Sequence, residues 1–337
     1  MGTSDKILLA HGSGGRLSHE LIDKVFKARF ANSMLNQGDD AAEFRIPDSE
    51  FRTAFTTDSY VVKPLFFPGG DIGRLAICGT VNDLAMKGAR PLFVSAGFII
   101  EEGLTLGLLE KAADSMAQAA GEAGVAIVTG DTKVVDKGAC DGMFINTSGL
   151  GLIPEGVNIS GANARPGDVV IVSGSIGDHG AAVMNARNNF GLSGDLNSDV
   201  APLNGLVGAM LKAGTVHVLR DPTRGGLATT LNEIALQSQA TVVIEENRIP
   251  LKPEVRGACE MLGLDPLYVA NEGKLAAIVP EKESEKIISA IKDHPYGREA
   301  AVIGRVMEGK PQVLLTTVLG SQRPLLMLEG EALPRIC

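Results

Sequence analysis

The sequence predicts a two-domain protein built from an α/β half and an α+β half, on three observations. Its 337 residues exceed what one ordinary core organises and suit two domains of similar size. Strand-like and helix-like segments alternate through both halves. Between the halves, Pro154, Gly156, Gly161, Pro166 and Gly167 crowd one stretch, the best boundary signal in the chain. The expected domains are residues 1–155 and 156–328, followed by a tail at 329–337.

In the first half, 51–57 reads as a strand ending in a polar Thr-Asp-Ser. A helix over 71–87 is stopped by Gly88, a strand follows at 92–100, and a long helix over 105–123 is stopped by Gly124. Strands at 125–135 and 143–152 close this half. Beyond the boundary, 168–173 is a strand and Gly-Asp-His-Gly leads into a helix that runs to residue 186. Helices are expected at 203–213, 225–236, 253–262 and 281–292, with strands at 241–245, at 274–279 and between 300 and 327.

Hydrophobic content of 45% with 21% charged residues predicts a well-packed soluble protein. A formal net charge of −9 argues against a general nucleic-acid or anionic-membrane binder. It does not exclude ATP, because a bound cation supplies local positive charge. No apolar run is long enough to span a membrane, and the first residues lack the pattern of a signal peptide. A cytoplasmic protein is expected. The four cysteines, Cys78, Cys140, Cys259 and Cys337, form no CxxC pair, which argues against zinc and iron–sulfur sites. The first three lie in or beside apolar runs and read as inert core thiols.

The main chemical signal is a set of acids beside Gly, Asn or Thr in short turns: Asp39-Asp40, Asp58, Asp83, Asp131 and Glu272. Neither His nor Cys stands with them. Oxygen ligands alone favour a hard cation such as Mg²⁺, which usually arrives with phosphates. Each turn taken singly is also ordinary turn chemistry. On a helix over 71–87, Asp83 falls on the stripe of Ile72, Leu75, Ala76, Gly79 and Met86. A carboxylate there needs a partner or a metal, unless the helix is rotated so that Asp83 and Asn82 face water.

Further readings stay open. The segment HGSGGR (11–16) is a phosphate-covering loop or a mobile arm. Lys133 meets a phosphate or carbonyl, or is solvated. RDPTRGG (220–226) binds phosphate at a helix start, or is a plain turn. His179 is a general base or a structural residue. Neither a P-loop nor GxGxxG is present. The chain ends EALPRIC, where Pro334 disfavours helix and no periodicity follows Gly330. That predicts a mobile tail with a thiol, Cys337, which is functional or accidental.

Together these segments resemble the HypE family of hydrogenase maturation factors, carbamoyl dehydratases of the aminoimidazole ribonucleotide synthetase and selenophosphate synthetase superfamily. The resemblance runs almost end to end. It is carried by HGSGG (11–15), TDSYVVKPLFFPGGDIG (57–73), CGTVNDLAMKGARP (78–91), VTGDTKVV (128–135), VSGSIGDHG (172–180), RDPTRGG (220–226), ANEGK (270–274) and PRIC (334–337).

The resemblance implies a two-domain aminoimidazole ribonucleotide synthetase-like fold. Its N-terminal α/β domain dimerises through its strands, and its C-terminal α+β domain covers a nucleotide. It implies ATP and Mg²⁺ as cofactors, a carbamoyltransferase, HypF, that loads Cys337, and HypC with HypD as cyanide acceptors. Carried over, Cys337 is the substrate carrier, Glu272 the base and Lys133 the group that polarises the carboxamide oxygen. Asp40, Asp58, Asn82, Asp83, Gly130, Asp131, Thr132 and Asn271 would bind the nucleotide, with Asp40, Asp58, Asp83 and Asp131 on the metal. Alternatives are a nucleotide-gated scaffold for metallocentre assembly, or another phosphorylating enzyme of the superfamily. Selenophosphate synthesis is disfavoured, because the Gly-rich segment lacks a cysteine.

Overall fold

Two sheets, joined along one buried helix, organise the chain. The structure, a computed structural model, describes residues 7–12, 14–30, 32–46, 51–188, 196–328 and 336–337. Short helices α1 (Arg16–Leu21) and α2 (Ala28–Phe30) flank a π-helical turn at Ile22–Lys27. Then come β1 (Ala42–Arg45), β2 (Arg52–Tyr60), a small hairpin of β3 (Phe66–Phe67) and β4 (Gly70–Asp71), and α3 (Ile72–Met86). The first half ends with β5 (Arg90–Glu101), α4 (Leu106–Ala123), β6 (Ala126–Val135) and β7 (Met143–Ile153). Its sheet has the order β1-β2-β7-β5-β6, with only the β5–β6 pair parallel.

The second half begins with β8 (Asp168–Val172), α5 (Asp178–Asn188), α6 (Asn204–Ala213), β9 (Val218–Arg220), α7 (Gly226–Ser238) and β10 (Thr241–Glu245). It continues through α8 (Pro253–Leu262), β11 (Ala276–Pro280), α9 (Glu281–Lys292), β12 (Ala301–Met307), β13 (Gln312–Thr316) and β14 (Gln322–Pro324). The second sheet runs β14-β13-β10-β12-β8-β11-β9 and is antiparallel except for β10–β13. One apolar cluster joins its strands to α7, and another joins them to α6 and α9. The mixture of α/β and α+β halves is as the sequence predicts.

Local chemistry explains the central helix. Asp71 caps α3, its Oδ1 accepting from Gly73 N–H at 2.8 Å and Arg74 N–H at 3.1 Å. Gly88, at φ +67°, lets the chain turn away after the helix. Every residue of α3 except Arg74 and Asp83 is buried. A helix that is apolar all round is a core helix. Its Ala85 and Met86 join the apolar cluster of the second half, so α3 belongs to both cores.

The thiol expectations change in part. Cys78 and Cys259 are buried, but Cys140 is half-buried, in the turn between β6 and β7. The mobile tail expected at 329–337 lies outside the described residues except for its last two, which are held in place rather than free. Ile336 and Cys337 are buried. Among the described residues no helix is long and apolar enough to cross a membrane.

Candidate active site

Helix α3 carries the cleft between the two halves. Asn82 Oδ1 accepts from Leu203 N–H at 2.8 Å, and its Nδ2 donates to the carbonyls of Ala201 at 3.1 Å and Glu272 at 3.3 Å. One side chain of the helix therefore ties down the loop that bears Glu272. Asp83, the next residue, points into a cavity of about 270 Å³. The first half contributes Gly14, Asp40, Asp58, Gly79 and Asp83 to its walls. The second half contributes Arg220, Asp221, Thr223, Arg224, Thr230, Glu233 and Glu272, and Cys337 completes the lining.

The turns that were legible as motifs have definite geometry. In GDDAA the two acids part company. Asp39 forms a buried ion pair with Lys87 Nζ at 2.8 Å and is structural, while Asp40 faces the cavity and accepts from Arg220 Nη1 at 2.8 Å. In RDPTRGG the chain leaves β9, Gly226 N–H donates to the Thr223 carbonyl at 3.0 Å, and α7 begins. Gly225 and Gly226 have φ of +78° and +59°, which glycine adopts without strain. This turn aims Asp221, Thr223 and Arg224 into the cavity. Gly14 packs against Arg224, and a Cβ there would lie 2.9 Å from Arg224 Cβ. Gly14 of the N-terminal Gly-rich segment is therefore part of the cavity wall.

Burial sets the electrostatics. Asp40 is pushed up to about 6 by burial, against the pull of Arg220. Asp221 rises to about 8 through burial and the neighbouring charge of Asp40. Burial, then Asp221, Asp58 and Asp40, raise Asp83 well above the carboxylate range. Burial raises Asp58 as well, with Arg224 opposing. Glu272 is likewise driven well above its ordinary value by burial, then by Asp221 and Asp58. Its Oε1 is buried without a hydrogen-bond partner, and its backbone N–H donates to Asp199 Oδ1 at 3.0 Å. A carboxyl tuned upward in this way is suited to proton transfer near neutrality.

Cys337 sits inside this acidic cavity. Arg224 Nε donates to its Sγ at 3.2 Å, and Arg224 Nη2 lies 3.8 Å from Asp58 Oδ1. Burial pushes the thiol up to about 12 despite the guanidinium. The docked sulfur is therefore a neutral thiol, poorly suited to attack an outside electrophile. Beside it, Ile336 offers its carbonyl to His179 Nε2 at 3.0 Å.

The structure brings Asp40, Asp58, Asp83, Glu272 and Cys337 together. It does not bring Gly130, Asp131, Thr132 or Lys133 to them within one chain. Those four lie on β6, which pairs only with β5 at the sheet edge and is exposed from Ala126 to Val134. There Lys133 Nζ pairs with Asp131 Oδ2 at 2.7 Å. Nor does Asn271 line the cavity. Its Oδ1 accepts from Gly177 N–H at 2.7 Å, and its Nδ2 donates to the Pro222 and Val269 carbonyls at 3.0 and 3.2 Å. Asn82 and Asn271 therefore hold backbone rather than offering free amides to a phosphate. The sequence leaves alternatives open for the 220–226 turn, with Asp221 and Arg224, and for His179, because their convergence on the cleft and its C-terminal dipeptide depends on long-range contacts.

Comparison with known proteins agrees with this architecture. Residues 38–153 match the family model described as AIR synthase related protein, N-terminal domain, and residues 165–315 match its C-terminal counterpart. The fold and cleft thus define an AIR synthase related protein. Carbamoyl dehydratase HypE of Rhizobium leguminosarum bv. viciae is 54% identical over 335 residues, 98% of this chain and 95% of that protein. HypE in a crystal structure of the HypE–HypF complex matches with a TM-score of 0.87 and 49% identity, covering 91% of this chain and 99% of that one. HypE in complex with ATP matches with a TM-score of 0.83 and 51% identity, covering 98% and 100%. The chain belongs to the carbamoyl dehydratase HypE family.

Proposed function

We propose that this protein dehydrates a carboxamide carried on the sulfur of Cys337 to a thiocyanate, using ATP, in hydrogenase maturation. The observation that carries this is the placement of Cys337 Sγ in the same cavity as Glu272, against Arg224. The relatives supply the activity and the nucleotide. A HypE with 51% identity was crystallised with ATP, and one with 49% identity with HypF. HypF is accordingly the partner that loads the sulfur. The cyano group then passes to iron on HypC with HypD.

The chemistry balances as follows. The carboxamide oxygen attacks the γ-phosphorus and ADP leaves. The oxygen then departs within inorganic phosphate as the C≡N bond forms, and the nitrogen gives up both its protons. Phosphorylation converts a very poor leaving group into a good one, and catalysis is mostly positioning and charge neutralisation. Glu272 takes a proton from nitrogen. Arg224 holds the sulfur end of the carboxamide, and Asn82 and Asn271 position the surrounding backbone.

Four clustered acids raised by burial, of which Asp83 and Asp221 are raised further by the charges of the others, fit a hard cation, because the cation relieves that repulsion. Among the described residues, no three of His, Cys, Asp and Glu already form a metal cage. Mg²⁺ is usually held by one or two carboxylates together with water and phosphates. Asp40, Asp58 and Asp83 are its candidates here. When bound, it would neutralise charge on the transferring phosphoryl group.

Lys133 and Asp131 enter the reading through a homodimer. The outer side chains Phe93, Ile99, Ile127, Val128 and Val134 leave apolar surface exposed on β5 and β6. A second copy packed on that surface would carry its own β6, with Gly130, Asp131, Thr132 and Lys133, toward this cleft. Lys133 would then polarise the carboxamide oxygen.

Mass spectrometry of the C-terminal peptide tests the function. After carbamoylation, adding ATP should remove one water from the adduct and release ADP. A carbamoyl adduct that persists while ATP turns over would point to another phosphoryl transfer. An adduct that persists without turnover would point to a scaffold.

A further inference from the structure

The described C-terminal residues are held at three points. Cys337 Sγ meets Arg224, and the Ile336 side chain joins the apolar cluster that includes Tyr60, Val62, Val183 and Val200. The third point is the Ile336 carbonyl on His179, and the chemistry above makes no use of it. We propose that His179 is a positioning residue that sets the register of the C-terminal dipeptide in the cleft by donating from Nε2 to the Ile336 carbonyl.

The surrounding hydrogen bonds fix the direction of every donor. A carbonyl only accepts, so Nε2 carries the hydrogen and Nδ1 of the neutral ring is the acceptor. The Ser198 hydroxyl therefore donates to Nδ1 at 2.8 Å, and Ser198 Oγ in turn accepts from Val200 N–H at 3.2 Å. Burial keeps the ring neutral by lowering its pKa, against the opposing pull of Asp199. Phe67 meets the ring edge-on, with centroids 5.4 Å apart.

The mount of the ring is shared with the base. Gly177 N–H donates to Asn271 Oδ1, and Gly180 N–H donates to the Ala270 carbonyl at 3.1 Å. The segment 270–272 thus anchors both the helix start that bears His179 and the backbone of Glu272. A contact made to the Ile336 main chain is independent of what the sulfur carries. It can hold the register before and after carbamoylation, and it must break before the buried sulfur meets an outside donor.

The effect on rate rests on the reading of Cys337 as carrier, whereas the effect on thiol exposure does not. Two measurements on the full chain separate them. The first is maleimide labelling of Cys337 in the uncarbamoylated protein, read on the C-terminal peptide because Cys140 is also partly exposed. The second is single-turnover conversion of the carbamoylated protein with ATP. His179→Phe keeps a ring against Phe67 but cannot donate. It should raise Cys337 labelling about tenfold or more and slow conversion about ten- to hundredfold, with ATP affinity unchanged. His179→Gln, which restores an N–H near the same place, should recover much of both. Ser198→Ala, which removes only the relay, should shift both in the same direction by less, and it decides the matter if His179→Phe does not fold. Wild-type labelling and conversion in a folded His179→Phe protein would overturn the proposal. So would equal loss in the Gln and Phe variants accompanied by weakened ATP binding, which marks a merely structural role. Wild-type protein that never converts its adduct would overturn the carrier reading, and labelling alone would then decide the role of His179.

Discussion

The cleft and the edge strand β6 both carry acids that stand out in the sequence, yet they obey different electrostatics. In the cleft, Asp40, Asp58, Asp83, Asp221 and Glu272 are driven upward by burial, and Asp83, Asp221 and Glu272 also by the charges of others in the group. On β6, Asp131 lies in water, and its hydrogen bonds from Lys133 hold its carboxyl below the ordinary range. Burial makes an acid a proton carrier or a cation site, whereas exposure leaves a screened ion pair. The cleft acids are therefore tuned within one chain, whereas on the proposed reading β6 would acquire a role only when a second copy excludes water from it.

The largest effect belongs to the cleft. Glu272→Gln should lower single-turnover dehydration by about 10²- to 10⁴-fold while leaving carbamoylation of Cys337 intact. A base must be deprotonated to act, and Glu272 is raised well above its usual value. In the wild type, the rate should therefore climb with pH through a limb above the ordinary carboxyl range, and Glu272→Gln should lose that limb. An unimpaired Gln variant would remove Glu272 from the mechanism. The edge strand comes next. Lys133→Ala should cost about 10²- to 10³-fold in the same assay. Placing Asp at both Val128 and Val134 should convert dimer to monomer by light scattering, with a comparable loss of rate. Full activity in a monomeric double variant would separate β6 from the site.

The fold was legible because its elements are punctuated locally. Asp71 and Gly88 bound α3, Gly124 ends α4, and Pro253 opens α8, each through a conformation or cap that its own side chain, or glycine's lack of one, makes favourable. The short strands β1 and β9 were not legible, because a few residues paired at long range leave no periodicity. The site divides along the same line. Acids beside Gly, Asn or Thr announce themselves, and Asp40, Asp58, Asp83 and Glu272 do converge, although Asp58 lies within β2 and Asp83 within α3 rather than in turns. Gly130 to Lys133 have the same local signature, and only the sheet order reveals that they sit at an edge. His179 looked like an isolated histidine before a helix, because its partner Ile336 lies 157 residues away. A separation of 113 residues likewise hides the contact between Arg224 and Cys337.

The smallest expected effect concerns stability, and it tests whether the cleft acids repel one another as their surroundings require. Asp221 has a folded value of about 8 against an ordinary 3.8, raised by burial and by Asp40. A carboxyl raised in the folded state stabilises most where it is protonated in both states, below its unfolded value. That contribution is lost as pH rises toward the folded value. Asn at this position has nearly the same shape and never ionises. Wild type and Asp221→Asn should therefore have similar urea midpoints in acid and diverge as pH rises. By about pH 8 the variant should be more stable by about 1–3 kcal/mol. Adding Mg²⁺ at that pH should stabilise the wild type more than the variant, because a cation bound only by the folded state relieves the repulsion that Asn has already removed. Parallel midpoints across the whole range would mean that neither burial nor Asp40 raises Asp221, and equal Mg²⁺ responses would mean that Asp221 feels no cation in the cleft; together they would remove the contrast with β6.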